Sequence, residues 1–419
     1  MHIGDVHYPD AIQKGPQVDK KDEGFNSGFI EKLAPNTFME VGSSLTRCLE
    51  TQDIDGVLFS GDLTSFGNLK SYQECVQYFD RMITSAESVI GRNFAVEVVP
   101  GNHDLKRKGL TSGGLEERFD DFKEAWISVG RDIFPVGSIK KDQIDRDNAS
   151  LKIISLNTCL GCGEEYKKFP SEIASIYKKL IDAADLEDKD QFNKFCDRID
   201  TPAIYQDHLR EIEIEVSGID DNSLCLILGH HALLPQPTVR VALYTEIING
   251  GNARMALTTL NSPIIYCHGH IHDDPIEILT RPENPESSLV LISAPEYSKG
   301  FNVIEILYTD NGYPVGIVIT PHRAETWGRV REKAPIRIPI RQPEDMINFC
   351  DDRTESVYRL LGGEPSRFDK LLARMKSEKL SFSEMEFENI LNELEWLQVI
   401  NISNKSKSSR GWIIGRVGL

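Results

Sequence analysis

Ten histidines stand in this 419-residue chain. Seven of them fall in four short polar blocks, "DVH" (Asp5, His7), "PGNHD" (Asn102, His103, Asp104), "GHH" (His230, His231) and "CHGHIH" (His268, His270, His272), and a fifth block, "GDLT" (Asp62), contributes a carboxylate. His2, His208 and His322 stand apart. Imidazole nitrogen mixed with carboxylate and amide oxygen is a donor set for borderline divalent cations such as Mn2+, Fe2+ or Zn2+, and not for Ca2+ or Mg2+ alone. A tetrahedral ion takes four donors, and the blocks offer more. The surplus predicts two ions sharing a carboxylate, a pair able to hold a bridging hydroxide and to neutralise a phosphoryl group under attack. Any one of these histidines alone reads as structural; the set does not.

Spacing sharpens this. Alternation at period two places His268, His270 and His272 on one face if the segment is extended, and does the same for Asp5 and His7. Gly4, Gly61, Gly101, Gly229 and Gly269 stand beside the ligands, where they let the backbone turn sharply or approach an ion.

The elements that must hold these blocks are strands. Apolar runs precede four of them: "DGVLFS" before Asp62, "FAVEVV" before Asn102, "LCLIL" before His230 and "PIIYC" before His268. A further strand reads at "LKIISLNT", and three more at "SLVLISAPEY", "FNVIEILY" and "PVGIVITPHR". Helical spacing covers residues 37–50 and 69–90. Strand, loop and helix in repetition predict an α/β layered core, with every polar block at the C-terminal end of a strand, where ligands bind in such sheets. The stretch 164–216 is polar and helix-rich, an insertion able to cap the sheet. Residues 331–345 hold three prolines and read as an extended linker. Residues 346–419 read as helices, one with a Ser383-x-x-Glu386 start, and then strand, turn, strand; this is the outline of a small winged-helix-like domain.

Composition narrows the classes. The chain is 40% hydrophobic and 27% charged, with net charge −18; this excludes a surface coated in basic residues for general nucleic-acid or membrane binding. Eight cysteines are scattered, mostly through apolar segments, and read as buried thiols of a reducing compartment. One pair, Cys159 and Cys162 in "CLGC", has metal or redox spacing, without a second such pair to complete a zinc site. No apolar run is long enough to span a bilayer and no signal-peptide pattern opens the chain. A cytoplasmic location with no membrane partner is expected.

The ordered set D-x-H, G-D, G-N-H-D, H-H and G-H-x-H, over roughly Met1 to Pro321, resembles the calcineurin-like metallophosphoesterase family. The resemblance implies a layered α-β-β-α sandwich spanning 1–330 and a two-metal centre. Carried over by motif, Asp5, His7, Asp62 and His272 hold one ion, and Asp62, Asn102, His230 and His270 the other, with Asp62 as the bridge. The same pattern makes His103 the group that protonates the leaving oxygen or steadies phosphoryl charge, and Asp104 the carboxylate that orients it. Mn2+ is the expected metal, with Fe2+, Zn2+ or Ni2+ as alternatives. His231 lines the site or packs beside it; His268 precedes the G-H-x-H pattern and reads as a neighbour. Only "MHIG" precedes Asp5, shorter than the family's usual first strand, so a start upstream of Met1 is one expectation. "GDLTSFG" and "GNHD" depart from the G-D-x-x-D-R-G and GNHE of protein serine/threonine phosphatases, which favours the phosphodiesterase and nuclease branches.

Two substrate classes follow. The first is nucleic acid, DNA or RNA: no acidic residue lies after Trp396 through Leu419, while Lys405, Lys407, Arg410 and Arg416 do, placing cations at the tip of the wing. The acidic helix before it (Glu384, Glu386, Glu388, Glu393, Glu395) opposes that reading. The second is cyclic nucleotides or other small phosphodiesters, with the C-terminal domain serving protein contacts or self-association. A metal-binding scaffold without turnover would have lost a ligand or His103, and none is lost.

Overall fold

The computed structural model describes residues 1–13, 37–65, 67–106, 115–131, 134–162, 175, 179, 202–220, 222–235, 246–260, 262–282, 284–308, 312–325, 329–340, 352–397, 399–405 and 408–417. In chain order the elements are β1 (His2–Ile3), α1 (Thr37–Thr51), β2 (Gly56–Phe59), α2 (Leu69–Ile90), β3 (Ala95–Val98), α3 (Asp120–Ser128), β4 (Lys140–Arg146), β5 (Ala149–Ser155), α4 (Gln206–Ser217), β6 (Ser223–Leu228), α5 (Gly250–Leu257), β7 (Ile264–His268), β8 (Ile276–Arg281), β9 (Asn284–Ser293), β10 (Gly300–Tyr308), β11 (Pro314–Ala324), β12 (Val330–Glu332) and β13 (Ile336–Pro339). The C-terminal elements are α6 (Asp352–Leu360), β14 (Ser366–Arg367), α7 (Phe368–Ser377), α8 (Glu384–Trp396), β15 (Ile400–Ser403) and β16 (Ile413–Arg416).

Two sheets face each other. One runs β12-β11-β10-β1-β2-β3, with β13 also paired to β11, and the other runs β4-β5-β6-β7-β9-β8. The central strands β1-β2-β3 are parallel to one another, as are β5-β6-β7-β9. Residue parity shows why those strands read as unbroken apolar runs. In β6, Leu224, Leu226 and Leu228 join the core between the sheets, while Cys225 and Ile227 face the outer cluster that holds Leu209, Ile212 and Val216 of α4 and Ala253 and Leu257 of α5. In β7, Ile265 and Cys267 face inward and Ile264 and Tyr266 outward. Burial on both faces removes the polar alternation that a one-sided strand shows. On the far side, α1, α2 and α3 cover the first sheet with Phe38, Leu45, Phe79, Ile83 and Trp126. The layering is the α-β-β-α sandwich expected from the sequence. α2 is bounded by an Asn68 cap, whose side chain accepts from Ser71 N–H at 3.0 Å, and by Gly91 in the left-handed region.

Several elements differ from the sequence reading. β4 ("KKDQIDR") and β8 ("IEILTR") are edge strands with charged, half-exposed faces, and such strands carry little apolar signal. α3 and α5 are short and were not legible as helices. Of the 331–345 linker, Ile336–Pro339 is extended but hydrogen-bonded into the first sheet opposite Gly316–Ile319; residues 341–345 lie outside the described residues, as does most of the 164–216 insertion, from which α4 emerges. The C-terminal elements enclose their own apolar cluster, with a three-stranded sheet β14-β16-β15, and this cluster reaches the first sheet through Val315 and Leu307. The Trp396 ring lies directly over Gly316, where an added Cβ would collide with it. No helix among the described residues is long and apolar enough to cross a membrane.

Candidate metal centre

Each polar block leaves its sheet at a strand's C-terminal end, from β1, β2, β3, β6 and β7. The backbone then turns abruptly. Asp5, His7, Asp62, His270 and His272 have φ of 50°, 48°, 53°, 70° and 58°, a region that non-glycine residues rarely occupy. This overturns one expectation: β7 ends at His268, so the three alternating histidines do not share an extended face. Positive φ at His270 and His272 sends their rings to different partners instead. Close backbone approach is also needed: a Cβ at Gly269 would stand 2.8 Å from Asp5 Oδ2.

Two donor sets result. In the first, His7 Nε2 lies 3.0 Å from His272 Nε2 and 3.9 Å from Asp62 Oδ2, and His272 Nε2 lies 3.6 Å from Asp5 Oδ1. In the second, His230 Nε2 lies 3.4 Å from Asp62 Oδ2 and 3.0 Å from Asn102 Oδ1, and His270 Nδ1 is 3.0 Å from the same Asn102 oxygen. Asp62 stands between the sets. The seven expected ligands are thus brought together, all of them buried except the half-exposed His270 and His272.

The donor chemistry fits cations. His230 Nδ1 is 2.7 Å from the Ser60 carbonyl, which can only accept, so Nδ1 carries the hydrogen. Nε2 is then the lone-pair nitrogen of the neutral ring, and it faces two acceptors, Asp62 Oδ2 and Asn102 Oδ1. Acceptors so placed repel unless a proton or a metal ion lies among them. The same holds for the two Nε2 atoms of His7 and His272. Electrostatics agree. Burial opposes charge on His230, yet Asp62 and Asp5 outweigh it and lift the ring to about 9. Burial likewise works against Asp62, but His230, His103 and His7 hold it well below the usual carboxylate range. Asp5 is pushed well above that range by burial, with Asp62 adding to the shift. His272 falls to about 4 through burial and the neighbouring His7.

His103 is exposed at the rim, its ring centroid 5.0 Å from that of His7. Its backbone N–H donates to Asp62 Oδ1 at 2.8 Å, and its Nδ1 faces the Ser65 carbonyl at 3.3 Å. Asp104 does not orient that ring, contrary to the sequence expectation. Its carboxylate accepts backbone N–H from Leu63, Thr64 and Gly101 at 3.0, 2.9 and 2.9 Å and the Thr64 hydroxyl at 3.3 Å. These bonds turn Asp104 inward, where it clamps the loop after β2 to the loop after β3. His268 is buried against the Gly269 carbonyl and joins neither donor set. His2, His208 and His322 also lie elsewhere.

Sequence reasoning missed Glu296, whose Oε2 lies 3.9 Å from His272 Nδ1. It follows β9 as the other blocks follow their strands, and that placement was its signal. The Ser60 and Ser65 carbonyls left no signal, because any residue supplies a carbonyl.

The family model of the calcineurin-like phosphoesterases matches residues 1–274. Among solved structures, the chain is similar to a dimetal phosphatase from Danio rerio, at 13% identity and TM-score 0.47, covering 81% of this chain and 98% of that one. It is similar to GAP50, the anchor in the inner membrane complex of Plasmodium, at 9% and 0.42 over 81% and 88% of the two chains. A 5'-nucleotidase precursor from Thermus thermophilus aligns at 10% and 0.36 over 90% and 67%. At these values the likenesses decide nothing about substrate. No curated protein matches the chain.

Proposed function

This chain belongs to the calcineurin-like phosphoesterase family, and from that premise we propose that it hydrolyses phosphodiester bonds with two divalent cations, taking small nucleotide-like diesters rather than polymeric nucleic acid. The observation that carries the reading is Asp62: its carboxylate stands between two donor sets, with an exposed histidine beside it. We assign Asp5, His7, Asp62 and His272 to one cation and Asp62, Asn102, His230 and His270 to the other. Two divalent cations there supply positive charge against phosphoryl oxygens and acidify water. The chain's own residues do the rest. The Ser60 carbonyl keeps the His230 hydrogen on Nδ1 and so directs Nε2 into the centre. The Ser65 carbonyl accepts the His103 Nδ1 hydrogen, so that with both ring nitrogens protonated it is the Nε2 proton that passes to the departing oxygen, leaving the neutral ring with its hydrogen on Nδ1. Mn2+ suits the mixed nitrogen and oxygen donors.

The small-diester reading is supported at the C-terminal cluster. Lys405 pairs with Glu395, Arg410 with Glu384 at 2.8 Å, and Arg416 donates to the Tyr358 carbonyl at 2.6 Å. Cations already met by an acidic helix are poor phosphate contacts. We read these elements as a winged-helix-like unit for protein contact. The nucleic-acid reading retains one support, the lack of acidic residues after Trp396.

A side-by-side assay with Mn2+ tests this, using an activated aryl phosphodiester, cyclic nucleotides, single-stranded DNA, duplex DNA and RNA. The small diesters should turn over fastest, and Lys405→Glu with Arg410→Glu should leave every rate unchanged. Preferred cleavage of a polymer, steeply weakened by salt and by that double substitution, would establish a nuclease. Hydrolysis of monoesters alone would refute the diester assignment.

A further inference from the structure

Next to the centre lies a second group of donors that the reaction does not use. Cys159 and Cys162 occupy the turn that follows β5, and His231 comes directly after His230. All three are buried with 0% exposure. One donor atom from each lies within 4.8 Å of the other two. The turn is closed by Cys162 N–H donating to the Cys159 carbonyl at 2.9 Å, which brings the two cysteines to its two ends. Cys159 Sγ stands 3.8 Å from His231 Nδ1 and 3.3 Å from the Pro100 carbonyl oxygen.

The protonation state of His231 follows from Thr158. That hydroxyl oxygen accepts the backbone N–H of His230 at 3.3 Å and of His231 at 3.2 Å. Its own hydrogen is therefore directed at His231 Nδ1, 2.9 Å away. Nδ1 carries the lone pair, on the side of the thiols. Nε2 then carries the hydrogen and is buried without a hydrogen-bond partner.

We propose that Cys159, Cys162 and His231 form a separate site for one thiophilic divalent cation of the zinc class, bound by two thiolates and Nδ1, with the Pro100 carbonyl as the nearest further oxygen. Donor type separates it from the neighbouring centre: thiolates select zinc, whereas carboxylate, amide and imidazole suit manganese. The 3.8 Å between Cys159 Sγ and His231 Nδ1 is near what one ion needs, since tetrahedral donors at about 2.3 Å for sulfur and about 2.0 Å for nitrogen lie roughly 3.5–3.8 Å apart. Charge agrees as well. One dication, two thiolates and a neutral imidazole sum to zero, which a site closed to water tolerates and a bare charge does not. Binding releases two thiol protons to solvent, and the Thr158 hydroxyl turns its hydrogen away from Nδ1. The ion would join the end of β5 to the end of β6 one residue from His230, and so brace that ligand.

Full-length protein, reduced and stripped of metal, is titrated with Co2+ in the absence of oxygen. Thiolate ligands give cobalt a near-ultraviolet charge-transfer band that imidazole and carboxylate do not. The band should saturate with about one ion per chain, vanish on adding Zn2+ and survive Mn2+. Cys159→Ser and Cys162→Ser should each lose it and bind about one ion fewer by elemental analysis. Cys225→Ser, which removes a buried thiol from β6, should keep it. Absence of the band in the native protein overturns the proposal, as does its survival in both serine variants. Should those variants not fold, 113Cd resonance of the native protein decides: a cadmium with two sulfur ligands supports the site, and cadmium without sulfur refutes it.

Discussion

Substituting Asp104 by asparagine and by alanine separates two roles for one carboxylate. If Asp104 steadied the His103 ring, both variants would fold as before and lose catalytic rate. The geometry assigns it a clamp instead. Three buried backbone N–H groups, of Leu63, Thr64 and Gly101, point at its oxygens, and the side chain is 1% exposed. Removing the acceptor leaves each donor unsatisfied, at about 1–3 kcal/mol apiece. Water entering the vacated space offsets part of this, so Asp104→Ala should cost about 3–5 kcal/mol. Asn keeps one acceptor and turns an NH2 toward the remaining donors, for about 2–4 kcal/mol. A typical domain is stable by only about 5–15 kcal/mol, so either change is large. The assay is chemical unfolding of the metal-chelated protein, where the midpoint should fall with the slope unchanged. Wild-type midpoints in both variants, together with a displaced pH–rate profile, would refute the clamp and restore the role of orienting His103.

Other substitutions probe the centre and its surroundings. Asp62→Asn should weaken both cations together and cut turnover by more than about a hundredfold, read by metal stoichiometry and aryl diester hydrolysis; retention of both ions with full activity would disprove the bridging assignment. His103→Gln should lower kcat by about 10²–10⁴ while metal content stays at the native level, and unchanged kcat would remove the proton-donor role. His2 is buried in β1 with neither ring nitrogen partnered, and burial, with His268 beside it, pushes its pKa well below the ordinary imidazole value. The unfolded chain therefore takes up the proton first as pH falls below about 6.5, and stability drops by up to about 1.4 kcal/mol per pH unit. His2→Phe should flatten the acid limb of the unfolding midpoint measured in chelator; an identical limb would show that His2 does not titrate this way.

How much of this was written in the sequence follows from what each kind of signal is. Apolar runs announce themselves, so β2, β3, β6 and β7 were legible with the blocks at their ends. Side-chain chemistry was legible too, because only carboxylate, amide and imidazole can ligate as these residues do. Conformation at the ligands was not. Period-two spacing implied an extended face for His268, His270 and His272, whereas the chain leaves β7 at His268 and enters positive φ twice. Nothing local to "HGHIH" demands that; it is imposed by Asp5, which accepts His270 N–H at 2.9 and 3.0 Å from the other sheet. Asp104 failed for the same reason. Of its partners only Gly101 lies within the motif, whereas Leu63 and Thr64, which make the clamp, lie 40 or more residues away, and a motif reports neighbours in sequence.

The strained ligands bear on how the centre is held before any cation binds. Asp5, His7, Asp62, His270 and His272 are five of the eight non-glycine residues at positive φ among those described. Each such conformation costs on the order of 1–3 kcal/mol and persists only where surrounding contacts outweigh it. Those contacts are backbone bonds that involve no metal: Asp5 N–H to the Gly61 carbonyl at 3.1 Å, His7 N–H to the Asp62 carbonyl at 2.9 Å, and His103 N–H to the Asp62 carboxylate at 2.8 Å. These bonds lock the loops after β1, β2 and β3 to one another within the first sheet, and His270 N–H, donating to the Asp5 carboxylate at 2.9 Å, ties in the loop after β7 of the second sheet. Removing metal should leave the fold intact, with the far-ultraviolet circular dichroism unchanged. The melting temperature should then rise with the logarithm of added Mn2+ once the site saturates, as binding to the folded state alone requires, each ion adding about 2.7 kcal/mol of stability at a hundredfold excess over Kd. A chain that unfolds on chelation and refolds only with metal would show instead that the cations, and not these bonds, hold the five residues in place.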